Sequence, residues 1–182
     1  MRGQRPLRLF VAAYPPIHLA HALLDLLGQS GARDMRLTPP EQVHLTLQFI
    51  GDTDPRDMEG VQESVRRAVS GLEPPEVGVA GLVSLPERGQ ARLVAAALEP
   101  HPTLLELHRR LALRLAKNAK ERSGERFLPH LTLGRYASGG GARIEVESPG
   151  LERFRIAEAI LVQSVLKPSG AEHRPIGTFP LK

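Results

Sequence analysis

Two copies of one tetrapeptide, His44-Leu45-Thr46-Leu47 and His130-Leu131-Thr132-Leu133, stand near the quarter and three-quarter points of a chain of 182 residues. Residues two apart on an extended strand share a face. Each copy therefore offers an imidazole and a hydroxyl side by side and turns its leucines the other way, toward a core. If two such strands face one cleft, two histidines and two threonines surround a space the size of a phosphate. Imidazole titrates at about 6.5, so one ring can be neutral while the other is charged. One ring can take a proton from water as the other gives one to the departing oxygen of a phosphodiester, and the hydroxyls suit the nonbridging oxygens. This chemistry calls for no metal, and spacing alone does not say which ring is the acid.

A lone histidine before Leu-Thr-Leu reads as an ordinary strand residue. Two identical copies on two similar strands point instead to internal duplication. Arg135 follows the second copy and could bind phosphate. Its odd spacing from His130 puts it on the opposite face of a regular strand, and it reaches the polar face only if the strand bulges at Gly134. Arg92, opening a predicted strand, is a weaker candidate. His18, His21, His101 and His108 lack the i, i+4 pairing and acidic third ligand of a helical metal site and read as solvated helix faces. His173, in the closing hairpin, reads as a surface residue. Gly139-Gly140-Gly141 lacks the lysine and helix of a nucleotide loop and reads as a connector.

The elements that must position these residues follow from periodicity. Leu7 to Ala13 is a short apolar run between prolines and suits a buried strand. Ile17, Ala20, Leu23, Leu24 and Leu27 recur at helical spacing, with Gly28 placed to end the helix. In Val43 to Ile50, His44, Thr46 and Gln48 alternate with Leu45, Leu47 and Phe49, as a strand with one polar face. Thr53-Asp54-Pro55 starts a second helix along Met58, Val61, Val65, Ala68 and Val69, which ends between Gly71 and Pro75. Val77 to Val83 and Leu93 to Leu98 form a hairpin. Thr103-x-x-Glu106 reads as a capping box for a third helix through Leu115, with Lys117 and Lys120 at its basic end. After a turn around Ser123 and Gly124, His130 to Tyr136 repeats the strand. Ile160 to Leu166 and Pro175 to Phe179 close the chain around Pro168, Ser169 and Gly170. This order predicts an α+β fold: a bilobal pseudo-twofold duplication in one domain over 1–182, with antiparallel sheets lining a central cleft, helices outside, and one motif per lobe.

Hydrophobic residues make up 41% and charged residues 24% of the chain, the balance of an ordinary globular protein. The absence of cysteine excludes a disulfide framework, a thiolate zinc site and a cysteine nucleophile. A net charge of +4 favours a polyanionic partner. No stretch of about 18 apolar residues is present, and Met1 to Tyr14 shows no cleavage pattern. The expectations are thus no membrane, a cytoplasmic address, no cofactor, no metal and no obligate protein partner.

The two His-x-Thr-x motifs resemble those of the 2H phosphoesterases, and specifically the RNA 2′,3′-cyclic phosphodiesterase branch long called 2′-5′ RNA ligases. The resemblance covers Arg8 to Ala12, Val43 to Gly51, Pro129 to Arg135 and the ending around Ser164 to Leu181. It implies that His44 is the proton donor and His130 the proton acceptor, that Thr46 and Thr132 bind phosphate, and that an RNA 2′,3′-cyclic phosphate end is opened to a 2′-phosphomonoester. The same pair could run in reverse as a 2′-5′ ligase, or the cleft could recognise RNA phosphate termini without turnover. His173-Arg174 departs from the family, in a stretch that is often uncharged or carries a tyrosine.

Overall fold

The computed structural model describes residues 5–117, 127–137, 140–147, 150–168 and 170–182. Lys120, the turn expected around Ser123 and Gly124, Gly139 and Ser169 lie outside the described residues. The fold is α+β and built on antiparallel pairing. Among the described residues, one nine-stranded sheet and a separate two-stranded one carry three α-helices.

β1 (Leu7–Ala13) is almost wholly apolar because both of its faces are covered. Leu9 and Val11 enter the main core, whereas Phe10 and Ala12 join Val162 in a small cluster on the opposite face. α1 (Ile17–Gln29) buries Leu19, Ala20, Leu23 and Leu27. It runs past Gly28, because Ser30 caps it: the Ser30 hydroxyl donates to the Leu27 carbonyl at 2.7 Å. The glycine with positive φ is Gly31, at 82°. β2 (Met35–Leu37) is an edge strand too short to show a period. β3 (Leu45–Thr53) carries the first motif, with His44 just before it. Asp54 then takes the Arg56 N–H at 2.9 Å and opens the turn into α2 (Met58–Val69).

β4 (Glu76–Val77), β5 (Val79–Leu85) and β6 (Leu93–Leu98) precede α3 (Pro102–Leu115). The capping box expected at Thr103 is replaced by a cap two residues earlier: the His101 imidazole accepts the Thr103 N–H at 3.2 Å. Glu106 is held instead by Arg109 and Arg110, at 2.7 and 2.8 Å. β7 (His130–Tyr136) carries the second motif. β8 (Glu145–Glu147), β9 (Phe154–Arg155), β10 (Glu158–Lys167) and β11 (Gly170–Pro180) complete the order.

The large sheet runs β11-β10-β1-β3-β7-β6-β5-β8, with β2 added on β7. Its two halves meet where β3 and β7 pair through Leu45 and Leu131. Beyond that pair the motif strands part, and the cleft lies between them. The helices are exchanged between halves: α1 packs behind β7, whereas α3 packs behind β3. The motif leucines Leu45, Leu47, Leu131 and Leu133 anchor this core at no more than 1% exposure, each contributing roughly 1.5–3 kcal/mol of burial.

Candidate active site

Both motif strands carry the same irregularity. Against β1, Thr46 pairs with Ala12 and Gln48 with Val11, so Leu47 is the extra residue of a bulge. Against β6, Thr132 pairs with Ala95 and Gly134 with Val94, so Leu133 is the extra residue. A bulge shifts every later side chain to the other face. Its consequence in β3 is that Gln48 turns inward and is buried, and Phe49 turns outward, 66% exposed, onto the face of His44 and Thr46. The expected alternation of His44, Thr46 and Gln48 against Phe49 therefore fails after Thr46. In β7 the same shift brings Arg135 onto the face of His130 and Thr132, the outcome for which the sequence required a bulge near Gly134.

His44, Thr46, His130, Thr132 and Arg135 all line one cavity of about 1140 Å³. The two imidazoles are anchored alike. The His44 Nδ1–H donates to the Gln42 carbonyl at 2.7 Å, and the His130 Nδ1–H donates to the Leu128 carbonyl at 2.8 Å. Each ring is thereby fixed in one tautomer, leaving Nε2 for chemistry. Thr46 Oγ1 lies 3.2 Å from His44 Nε2.

The surroundings of His44 are aromatic. Phe10, Tyr14 and His173 place their ring centroids 5.1, 5.7 and 5.0 Å from its own. Burial pushes the His44 imidazole down to about 4, against the upward pull of the Gln42 carbonyl; the charges of His173, His130 and Arg135 push further down. Burial also raises Tyr14 to about 12 and lowers His173.

His173 is thus not a surface residue. β11 begins at Gly170 rather than near Pro175, and pairing of Ser164 with His173 turns the imidazole into the cleft, edge-on to His44. Its Nδ1 is buried without a hydrogen-bond partner among the described residues. His108 is not a solvated helix residue either. It donates from Nδ1 to the Leu47 carbonyl at 2.7 Å and stacks on Phe127, centroids 4.0 Å apart. His18 pairs with Glu152 at the surface, and His21 is exposed. Arg92 is exposed and outside the cavity. Sequence reasoning missed Phe49, although it stands five residues after His44 as Arg135 stands five after His130, a signal readable by extending the repeat. Among the described residues no three His, Cys, Asp or Glu side chains converge as a metal site requires, and no helix is long and apolar enough to cross a membrane.

Residues 15–155 match the family described as the 2'-5' RNA ligase superfamily. The chain is similar to a Methanothermobacter thermautotrophicus protein named RNA 2',3'-cyclic phosphodiesterase, 27% identical over 94% of this chain and 99% of that one. A Thermus thermophilus protein of the same name is 29% identical over 97% of this chain and 91% of its own. Among solved structures, TT0787 of Thermus thermophilus superposes with a TM-score of 0.83 at 23% identity, covering 96% of this chain and 98% of that one. E. coli LigT complexed with 3'-AMP gives 0.74 at 22% identity, over 97% and 98%. With the family matched across most of its length and the fold shared from end to end, the chain belongs to the 2'-5' RNA ligase superfamily.

Proposed function

We propose that this chain is one bilobal domain that opens 2′,3′-cyclic phosphate ends of RNA to 2′-phosphomonoesters by acid–base catalysis without a metal. The observation that carries the reading is the matched anchoring of His44 and His130, each Nδ1 tied to a carbonyl two residues back and each ring lining one cavity. Related proteins of similar length carry the name of this activity.

In this mechanism His130 takes a proton from the attacking water, and His44 gives one to the departing 3′-oxygen on the far side of phosphorus. Thr46, Thr132 and Arg135 hold the nonbridging oxygens, where donors are most valuable as charge grows. The acid must carry its proton before reaction, yet burial by itself favours the neutral His44 ring. The substrate resolves this conflict. A phosphate anion beside the ring favours the imidazolium and offsets the neighbouring positive charges, so binding loads the acid.

The test is turnover of an RNA oligonucleotide 2′,3′-cyclic phosphate with analysis of the product end, in the presence and absence of EDTA. A 2′-phosphate formed equally in both supports the reading. A predominant 3′-phosphate overturns the assignment of His44 as donor to the 3′-oxygen, and loss with EDTA restored by a divalent ion overturns the metal-free mechanism. Titration of the His44 ring by NMR with a 2′-nucleotide bound should show its pKa moving upward; an unmoved ring removes His44 as the loaded acid.

A further inference from the structure

His173 is a third imidazole at the His44 end of the cleft and takes no part in the acid–base pair. It stands on β11 directly opposite Ser164 of β10, and cross-strand partners share a face. Both residues line the cavity. The ring is held edge-on by two neighbours, Phe10 and His44, each with its centroid 5.0 Å away.

Its two nitrogens are disposed unlike those of the motif histidines. His44 and His130 each give Nδ1–H to a backbone carbonyl, which leaves the lone pair on Nε2. In His173, Nδ1 is enclosed and has no partner among the described residues. An orphaned buried N–H is rarer in proteins than an acceptor left unused. The proton of the neutral ring therefore belongs on Nε2. A charged ring would place a second N–H on the enclosed Nδ1, and burial lowers the His173 pKa in the same sense. Nε2 is not enclosed, and the ring lies on the cleft face, so its N–H opens into the cavity.

The duplication leaves a gap that this N–H fills. Five residues after His130 stands Arg135, a donor on the cleft face; five after His44 stands Phe49, whose side chain has none to give. On the first motif strand the repeat thus offers phosphate only the Thr46 hydroxyl beside the His44 ring itself. A second cation there would oppose the proton that His44 has to carry. A neutral N–H binds an anionic oxygen without that opposition. Ring centroids 5.0 Å apart, with hydrogen bonds of about 3 Å, leave both rings within reach of oxygens on one phosphorus.

We propose that His173 is a further phosphate-binding residue, whose neutral imidazole donates from Nε2 to a nonbridging oxygen on the His44 side of the cyclic phosphate. This rests on the reading of the cleft as a phosphodiesterase site.

The experiment uses the whole chain with isotope-labelled histidine, its His173→Phe and His173→Gln variants, and a nucleoside 2′-monophosphate as probe. In the wild type at neutral pH, long-range proton–nitrogen spectra should show His173 protonated at Nε2 and bare at Nδ1, the reverse of His44 and His130. Adding the nucleotide should shift the His173 Nε2 resonance. His173→Phe keeps an aromatic edge against Phe10 and His44. It should weaken the nucleotide about tenfold, the value of one hydrogen bond to a charged group, and leave binding of the nucleoside without its phosphate unchanged. His173→Gln carries an amide N–H in place of Nε2 and should recover most of the loss. An Nδ1–H tautomer or a charged ring in His173, an Nε2 unmoved by nucleotide, wild-type affinity in His173→Phe, or a His173→Gln variant no better than His173→Phe would each overturn the proposal. Equal weakening of nucleoside and nucleotide would overturn it too, by making the ring a packing element. The spectra require neither a variant that folds nor turnover. If the wild type binds the nucleotide through His173 yet leaves a cyclic phosphate unopened, the acid–base reading fails and the assignment of His173 stands.

Discussion

The two motif strands use one backbone device to different chemical ends. In both, a bulged leucine leaves its carbonyl outside the regular ladder. In β7 the Leu133 carbonyl accepts the backbone N–H of Thr38, at 2.8 Å. In β3 the Leu47 carbonyl accepts from the imidazole of His108, at 2.7 Å. In both, the residue five places after the histidine swings onto the cleft face; it is Phe49 in one and Arg135 in the other. His44 sits among Phe10, Tyr14 and His173, so the first half is an apolar box around its imidazole. The second half brings a fixed cation. Duplicated geometry thus anchors two rings alike, while unequal surroundings press an apolar, buried environment on the His44 imidazole that lowers its pKa.

The comparison breaks first at the histidines. On the proposed mechanism His44→Ala and His130→Ala should each lower kcat about 10²–10⁴-fold on an RNA cyclic phosphate, with the double variant little worse, as expected of two groups acting as one unit. Additive losses, or near-normal turnover in the folded double variant, would show that the halves do not share a reaction. Next is acid stability. The folded His44 ring titrates at about 4 against an ordinary value of about 6.5. Between those values the unfolded chain binds a proton that the folded chain does not, so stability rises with pH through this window, is complete above it and is lost as pH falls. The full effect is on the order of 3 kcal/mol. Urea midpoints from pH 4 to 7 should slope upward in the wild type and less in His44→Gln; parallel slopes would mean that the aromatic box does not govern the ring.

A smaller effect is expected at the bulge. His108→Ala removes the side-chain donor to the Leu47 carbonyl and should cost about 1–3 kcal/mol in denaturant unfolding. The β7 bulge is supported by backbone and offers no equivalent variant. An unchanged midpoint would show that the β3 bulge stands without its imidazole. Smallest is Thr46→Ala or Thr132→Ala, each expected to reduce kcat/KM about five- to tenfold, the loss of one neutral hydrogen bond worth about 1 kcal/mol, with the fold preserved. Wild-type rates in the folded double variant would remove the hydroxyls from the site.

The core of the site was legible because its residues obey a period of two that His44, Thr46, His130 and Thr132 display in full. What lay beyond it was hidden by single-residue irregularities. A bulge is an insertion in the pairing, with no signature in Leu47 or Gln48 themselves, so Phe49 read as core and became cleft. His173 was misread because β11 starts five residues earlier than its apolar content suggests; pairing with β10, not hydrophobicity, holds that stretch extended. His108 was assigned to solvent because a helical wheel knows nothing of the strand behind it, and His101 because its imidazole caps the helix instead of lying on one of its faces. β2, β8 and β9, at two or three residues each, are too short for any periodicity, yet β2 lines the cleft with Arg36.

The crossed placement of the helices, α1 behind β7 and α3 behind β3, has a consequence for how the chain reaches this state. Neither half can be completed from a contiguous segment. β1 pairs with β10 across nearly the whole sequence, β3 packs on a helix that follows it, and β7 packs on one made long before it. Such non-local pairing raises contact order and slows folding. During synthesis β1 and β3 emerge with the edge that β10 will occupy still open, an unpaired apolar strand exposed to other chains. The two histidines therefore come into register late, when the last hairpin docks on the first strand.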